Sequence, residues 1–182
     1  PGMASVTSNN FNLDHGEATR IEISSGYSTT VVVGSTFSNP LSIRLFDAGS
    51  NLTVRDSTTT VSVVVSSGLN GSVTKSEVVV VGGVVTFSDL AMLGVTTPEG
   101  ATAVTYKLRF QTETLQSAET NAITLRHAAP SQLTIEAKPS VLQAGIASGD
   151  FGIAIRDAYG NPITDWSRAG AAWAADSSPV IA

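Results

Sequence analysis

Cysteine is absent from all 182 residues. That excludes thiol catalysis, cysteine-ligated zinc and disulfide stapling. A unit of about 110 residues buries enough surface to fold without staples, so the absence fixes no compartment. Charge is scarce as well, at 14% of residues, against roughly 25% in an average globular protein. Exposed helix faces need Glu, Lys and Arg, and this chain fills its polar positions with Ser and Thr instead. Its apolar positions are rich in Val, and β-branched side chains suit a pleated surface better than a helix. Basic excess is missing too: the net charge is −5. That argues against nucleic acid, which needs a basic face, and against an anionic membrane surface. Apolar runs such as Val78 to Val81 are strand-sized and far from the roughly 20 residues of a membrane span, so no direct membrane insertion is expected. Pro1 to Ser5 resemble what a cleaved fusion tag leaves behind and are set aside from fold reasoning.

What is present is self-similarity. Leu41, Ile43, Leu45, Asp47, Ala48 and Asn51 align with Phe151, Ile153, Ile155, Asp157, Ala158 and Asn161 at a constant offset of 110. Ile21-Glu22-Ile23 aligns with Leu133-Thr134-Ile135 at 112, and Gly34 with Gly145 at 111. The small drift reads as an indel between strands. The spacing predicts a tag remnant and lead-in over 1–17, a complete unit over 18–129 and the first strands of a second over 130–182.

Alternation supplies the strands. Leu41, Ile43 and Leu45 share one face and Ser42 and Arg44 the other, the period of a half-buried strand. Val61 to Val65, Glu77 to Val81, Val84 to Phe87, the stretch from Val104 to Phe110, and Ile123 with Leu125 read the same way. Gly82-Gly83 is a two-residue hairpin signal, since both glycines tolerate positive φ. Seven or eight strands in about 110 residues, without a helical pattern, predict a β-sandwich.

The stretches Pro130-Ser131-Gln132-Leu133-Thr134-Ile135, Ala144-Gly145 and Asp157-Ala158-Tyr159-Gly160-Asn161-Pro162 resemble the start of bacterial-type immunoglobulin-like repeats. Such repeats occur in invasin-like surface proteins, and filamin-type repeats are similar. Gly83 to Leu90, Tyr106 to Phe110 and Ser117 to Asn121 resemble their second half. The resemblance implies an all-β, immunoglobulin-like antiparallel β-sandwich, with one complete repeat plus a partial second. It also implies a non-catalytic structural or adhesive module of a large cell-surface or secreted protein, with neighbouring repeats as partners. A fold of this kind carries many functions. The alternative is a recognition module that binds a cell-surface glycan or protein through end loops. Its candidates are the Asp47–Arg55 turn and the loop holding Thr97 and Glu99. The departure from the family pattern before Tyr106, where Glu99 to Thr105 are inserted, leaves a tyrosine-corner bond open.

Individual residues admit sharper and blander readings. Asp47 and Asp56, or Asp150, Asp157 and Asp165, could offer calcium the oxygen ligands a hard cation takes. The stronger expectation is that these acids cap their own turns, with no cofactor. Asn51 and Asn70 begin N-x-Ser/Thr triplets and are glycosylation candidates. His15 and His127 are expected to be exposed linker residues. A cross-link of Lys75, Lys107 or Lys138 to Asn121 beside Glu119 would need a buried lysine, and Lys107 falls on the polar phase of its strand. Trp166 and Trp173 are expected in the core of a completed second unit. Half a sandwich would expose its apolar face, so its remainder is expected to be clipped, disordered, deleted, or replaced by a strand from a second copy.

Overall fold

Strict alternation in the sequence becomes strict alternation of burial in the structure. In the strand Leu41–Asp47 every second side chain, Leu41, Ile43, Leu45 and Asp47, is buried. In Thr105–Gln111 the buried set is Tyr106, Leu108 and Phe110. The computed structural model describes residues 2–24, 26–96, 104–115, 117–138, 144–145 and 152–163. The chain is all-β: the elements among the described residues are strands. They are β1 (Ala18–Ile23), β2 (Thr30–Val32), β3 (Leu41–Asp47), β4 (Thr60–Ser67), β5 (Ser72–Val73), β6 (Glu77–Val79) and β7 (Val84–Phe87). They continue as β8 (Met92–Leu93), β9 (Thr105–Gln111), β10 (Ala118–Glu119), β11 (Ile123–Arg126), β12 (Pro130–Ala137) and β13 (Gly152–Asp157).

Two sheets share one core. The first runs β1-β3-β7; the second runs β2-β11-β9-β4-β6, with β10 also on β9. Pairing is antiparallel except between β2 and β11, which run parallel from Thr30↔Thr124 to Val32↔Arg126. Ile21, Ile43, Leu45, Val85 and Phe87 from the first sheet meet Val31, Val61, Val63, Leu108, Phe110, Ile123 and Leu125 from the second. Phe87 and Phe110 bridge the layers, with ring centroids 5.3 Å apart and planes tilted by 58°. Such a pair contributes about 0.5–1.5 kcal/mol beyond its burial. Among the described residues eleven strands precede the ribbon, nine in these two sheets and β5 with β8 as a separate antiparallel pair, where alternation predicts seven or eight. The extra ones, β2, β5, β8 and β10, are two or three residues long, too short to show a period.

The Gly82-Gly83 turn forms, but it does not join neighbours of one sheet. Both glycines have positive φ, 62° and 75°, and Val81 and Val84 exchange backbone bonds of 2.9 and 3.2 Å. After that single bridge β6 pairs with β4 while β7 pairs with β3. The turn is a corner between sheets, because each strand follows the partner that buries its own apolar face. A Cβ at Gly83 would lie 2.7 Å from the Thr53 carbonyl oxygen, whereas one at Gly82 meets only Val54 O at 3.7 Å. Gly82→Ala should therefore cost only the positive-φ penalty, of order 1 kcal/mol, and Gly83→Ala about 2–3 kcal/mol. Equal denaturation midpoints for the two variants would refute the tight corner.

β12 and β13 form a separate two-stranded ribbon whose pairing repeats that of β1 with β3. Ile21 faces Leu45 and Ile23 faces Ile43. In the ribbon Leu133 faces Ile155 and Ile135 faces Ile153. The register shifts between Ala18 and Arg20 in one pair and between Pro130 and Gln132 in the other. The environments differ. Ile21 and Ile43 lie in the sandwich core, while Leu133, Ile135 and Ile153 are 61%, 65% and 60% exposed.

Candidate functional site

The most organised polar residues lie at the ends of β3 and β13. Asp47 closes β3 and folds the next four residues back on itself. Its Oδ1 accepts from Asn51 N at 2.8 Å, and Asn51 Nδ2 donates to both carboxylate oxygens at 3.2 Å. Its Oδ2 accepts from Gly16 N at 2.8 Å. These amide donors, Gly16 first and Asn51 next, lower the Asp47 carboxyl to about 2. Ser50 takes the left-handed conformation, φ 64°, that lets the turn close. Asp157 does the same work at the end of β13. Its Oδ1 accepts from Asn161 N at 2.9 Å and its Oδ2 from Ala128 N at 2.9 Å. Gly160, φ 82°, stands where Ser50 stands in the first turn.

The two histidines are placed alike, and the structure corrects the expectation that they are exposed linker residues. His15 Nδ1 lies 2.7 Å from Gly16 O, and His127 Nδ1 lies 2.9 Å from Ala128 O. His15 Nε2 accepts from Arg55 N at 3.0 Å. A carbonyl only accepts and a backbone N–H only donates, so these bonds fix the Nδ1–H tautomer of His15. Its side chain is largely covered, and Asp14 pairs with Arg55. Asp14, His15 and Gly16 are thus tied to the sandwich although they precede Ala18. A signal for this is in the sequence: Leu13, His15 and Gly16 match Leu125, His127 and Ala128 at the offset of 112 found for Ile21 and Leu133.

Beside His15 lies a cleft of about 600 Å³, lined in part by Arg55, Asp56, Thr58, Thr59 and Thr114. Burial alone would raise the Asp56 carboxyl. Bonds from Thr59 Oγ1 (2.7 Å), Thr59 N and Thr58 N outweigh it and hold the group below its ordinary value. Both His15 nitrogens are engaged within the fold, and the Asp56 carboxylate accepts three bonds from Thr58 and Thr59.

Among the described residues the calcium candidates are Asp47, Asp56 and Asp157. The carboxylates of Asp47, Asp56 and Asp157 face N–H and O–H donors, the reverse of a cation cradle. Among the described residues no three acidic or histidine side chains are grouped to hold a metal. Asp150 and Asp165 lie outside the described residues, as do Thr97, Glu99, Trp166 and Trp173. Asn51 serves as the partner of Asp47, the part Asn161 plays for Asp157 without an N-x-Ser/Thr triplet. Asn70 sits exposed at a turn with φ 51°. The cross-link geometry is absent: Lys75 pairs with Asp89 at 2.8 Å, Lys107 lies 3.9 Å from Glu119, and both side chains are well exposed. Lys138 is exposed too.

Tyr106, whose bond was left open by sequence, is fully buried. Its hydroxyl lies 2.9 Å from Leu69 O and 2.8 Å from Val95 O. The next residue, Thr96, donates its backbone N–H to Asn161 Oδ1 at 3.0 Å, and both residues are buried. The sandwich therefore touches the ribbon's turn directly. Neither protein-family models nor curated proteins give a match to this chain.

Proposed function

We propose that the chain is a non-catalytic spacer module built of immunoglobulin-like tandem units, from an extracellular or cell-surface protein. The observation that carries this reading is the connection between sandwich and ribbon. Only His127, Ala128 and Ala129 separate β11 from β12, and Ala128 N is bonded to Asp157. A connector this short and this tied limits bending. The recurrence of the Asp turn, the histidine and the bulge at offsets of 110–112 supports tandem units. The parallel β2–β11 pair and a buried tyrosine near the start of β9 are also in keeping with the immunoglobulin-like plan. Neighbouring units are its partners, and the mechanical element is the core between two hydrogen-bonded sheets.

The second reading, recognition of a glycan or protein by end loops, has the cleft beside His15 in its favour. Arg55 and the hydroxyls of Thr58 and Thr114 could donate to sugar or peptide oxygens. A binding screen over glycans and matrix proteins, run with the whole chain and with Arg55→Ala, separates the two. The spacer reading expects no saturable binding. Saturable binding abolished by Arg55→Ala would overturn it in favour of recognition.

A further inference from the structure

Tyr159 has no task inside its own turn. The turn after β3 keeps the backbone-to-backbone bonds that close the turn after β13, with Gly49 in the tyrosine's place. Asp47 N donates to Asn51 O at 3.0 Å and Asp157 N to Asn161 O at 2.9 Å. Ser50 N reaches Asp47 O and Gly160 N reaches Asp157 O, both at 3.1 Å. The turn closes equally well without an aromatic side chain. Yet Tyr159 is not simply in solvent. Its ring lies on Gly34 of the sandwich, so closely that a Cβ added at Gly34 would sit 1.8 Å from the phenolic oxygen. Two residues on, Asn161 accepts from Thr96 N and is buried by doing so.

We propose that Gly34 and Thr96 form a seat on the end of one unit for the Asp-Ala-Tyr-Gly-Asn turn of the unit that follows, and that Tyr159 is the key that fixes their relative orientation. This rests on the tandem-unit reading. Three features make the seat. Gly34, with φ 73°, has no side chain where the ring lies. Its N–H is bonded to Met92 O at 2.9 Å, so the backbone under the ring is held. Thr96 offers a backbone donor that Asn161 Oδ1 satisfies at a place where both residues are buried. Gly145, at the matching position past β12, has the same left-handed backbone, φ 79°. The turn after β3 has Gly49 and Ser50 instead of Tyr159 and Gly160, so it lacks the key. The stiffness of a junction is then set by one residue of the turn that enters it.

The chain has no cysteine, so paired spin labels at Glu77→Cys and Lys138→Cys report the sandwich–ribbon distance cleanly. The expected result is one narrow distribution, broadened about twofold or more by Tyr159→Gly. That variant copies the turn after β3 and should leave the β12–β13 amide pattern intact. Gly34→Asn attacks from the other side, since Asn tolerates positive φ but places atoms where the ring lies. It should broaden the distribution as well, and it carries the test should Tyr159→Gly disturb the ribbon. A distribution unchanged in both variants, or broad in the parent chain, overturns the seat. Ligand binding at the cleft would overturn the spacer reading while leaving this result untouched.

Discussion

Tyr106→Ala should destabilise the sandwich by about 3–5 kcal/mol, at the top of the range for losing a buried aromatic. The reason is the wall around the ring. Cβ atoms built at Gly68, Gly71 and Gly94 would come within 2.1, 2.8 and 2.8 Å of Tyr106 atoms. Two loops, one holding Gly68 and Gly71 and the other Gly94, press bare backbone against one side chain. When that side chain goes, glycines have nothing to swing into the space, so the cavity persists and its cost is not relaxed. Tyr106→Phe should cost far less, about 1 kcal/mol, because it leaves the packing and removes only the hydroxyl shared by Leu69 O and Val95 O. Gly94→Ala should cost about 1–3 kcal/mol by overpacking the same spot. Denaturant midpoints at constant m-value read all three. Tyr106→Ala within about 1 kcal/mol of the parent would refute the account. The phenylalanine variant has a second readout: Val95 precedes Thr96, so a freed Val95 carbonyl should loosen the seat for Asn161 and broaden the sandwich–ribbon distance.

Much of this fold is legible in the sequence where burial is one-sided. β3 and β9 alternate because one face of each enters the core, and a period of two in side-chain chemistry is the direct imprint of that. The Asp turns are legible because Asp, Asn and a residue tolerant of positive φ must stand at fixed spacing for the turn to close. Other features leave no local trace. The Gly82-Gly83 pair announces a tight turn, but which strand each flank joins is decided by the core, tens of residues away. The glycines that wrap Tyr106 sit at 68, 71 and 94, and only the fold brings them together. His15 was within reach, since its offset to His127 matches that of the neighbouring strand. Its anchoring by Arg55 N was not, because a backbone donor 40 residues on has no side-chain signature. The cleft has the same origin: its lining is drawn from the lead-in, the segment after β3 and the loop after β9.

Asp47→Asn should lower the thermal midpoint by several degrees at neutral pH and flatten the acid limb of the stability profile. The sign follows from the direction of the shift. Asp47 is held at about 2 in the folded chain against 3.8 when free, so the unfolded chain binds the proton more readily. Its contribution is complete above pH 4–5 and is lost as pH falls from about 3.8 to about 2. The asparagine variant has no such proton to take up. It also turns an amide N–H toward donors that the carboxylate satisfied, Gly16 N among them. Other carboxylates are lowered too, and salt separates the ion-paired ones from Asp47 and Asp56. Lys75 holds Asp89 down and Arg109 holds Glu119 down, both through exposed ion pairs. Such pairs weaken once the Debye length falls to about 3 Å near 1 M salt. The donors on Asp47 are amides fixed by the turn and by Gly16, which added salt does not displace. In about 1 M salt the acid limb of the parent chain should therefore shrink but persist, and the remainder should fall in Asp47→Asn to the part that Asp56 supplies through its bonds from Thr58 and Thr59. Parallel profiles for the two proteins in high salt would show that the turn carboxylate does not tie the residues ahead of β1 to the sandwich energetically, whatever its hydrogen bonds.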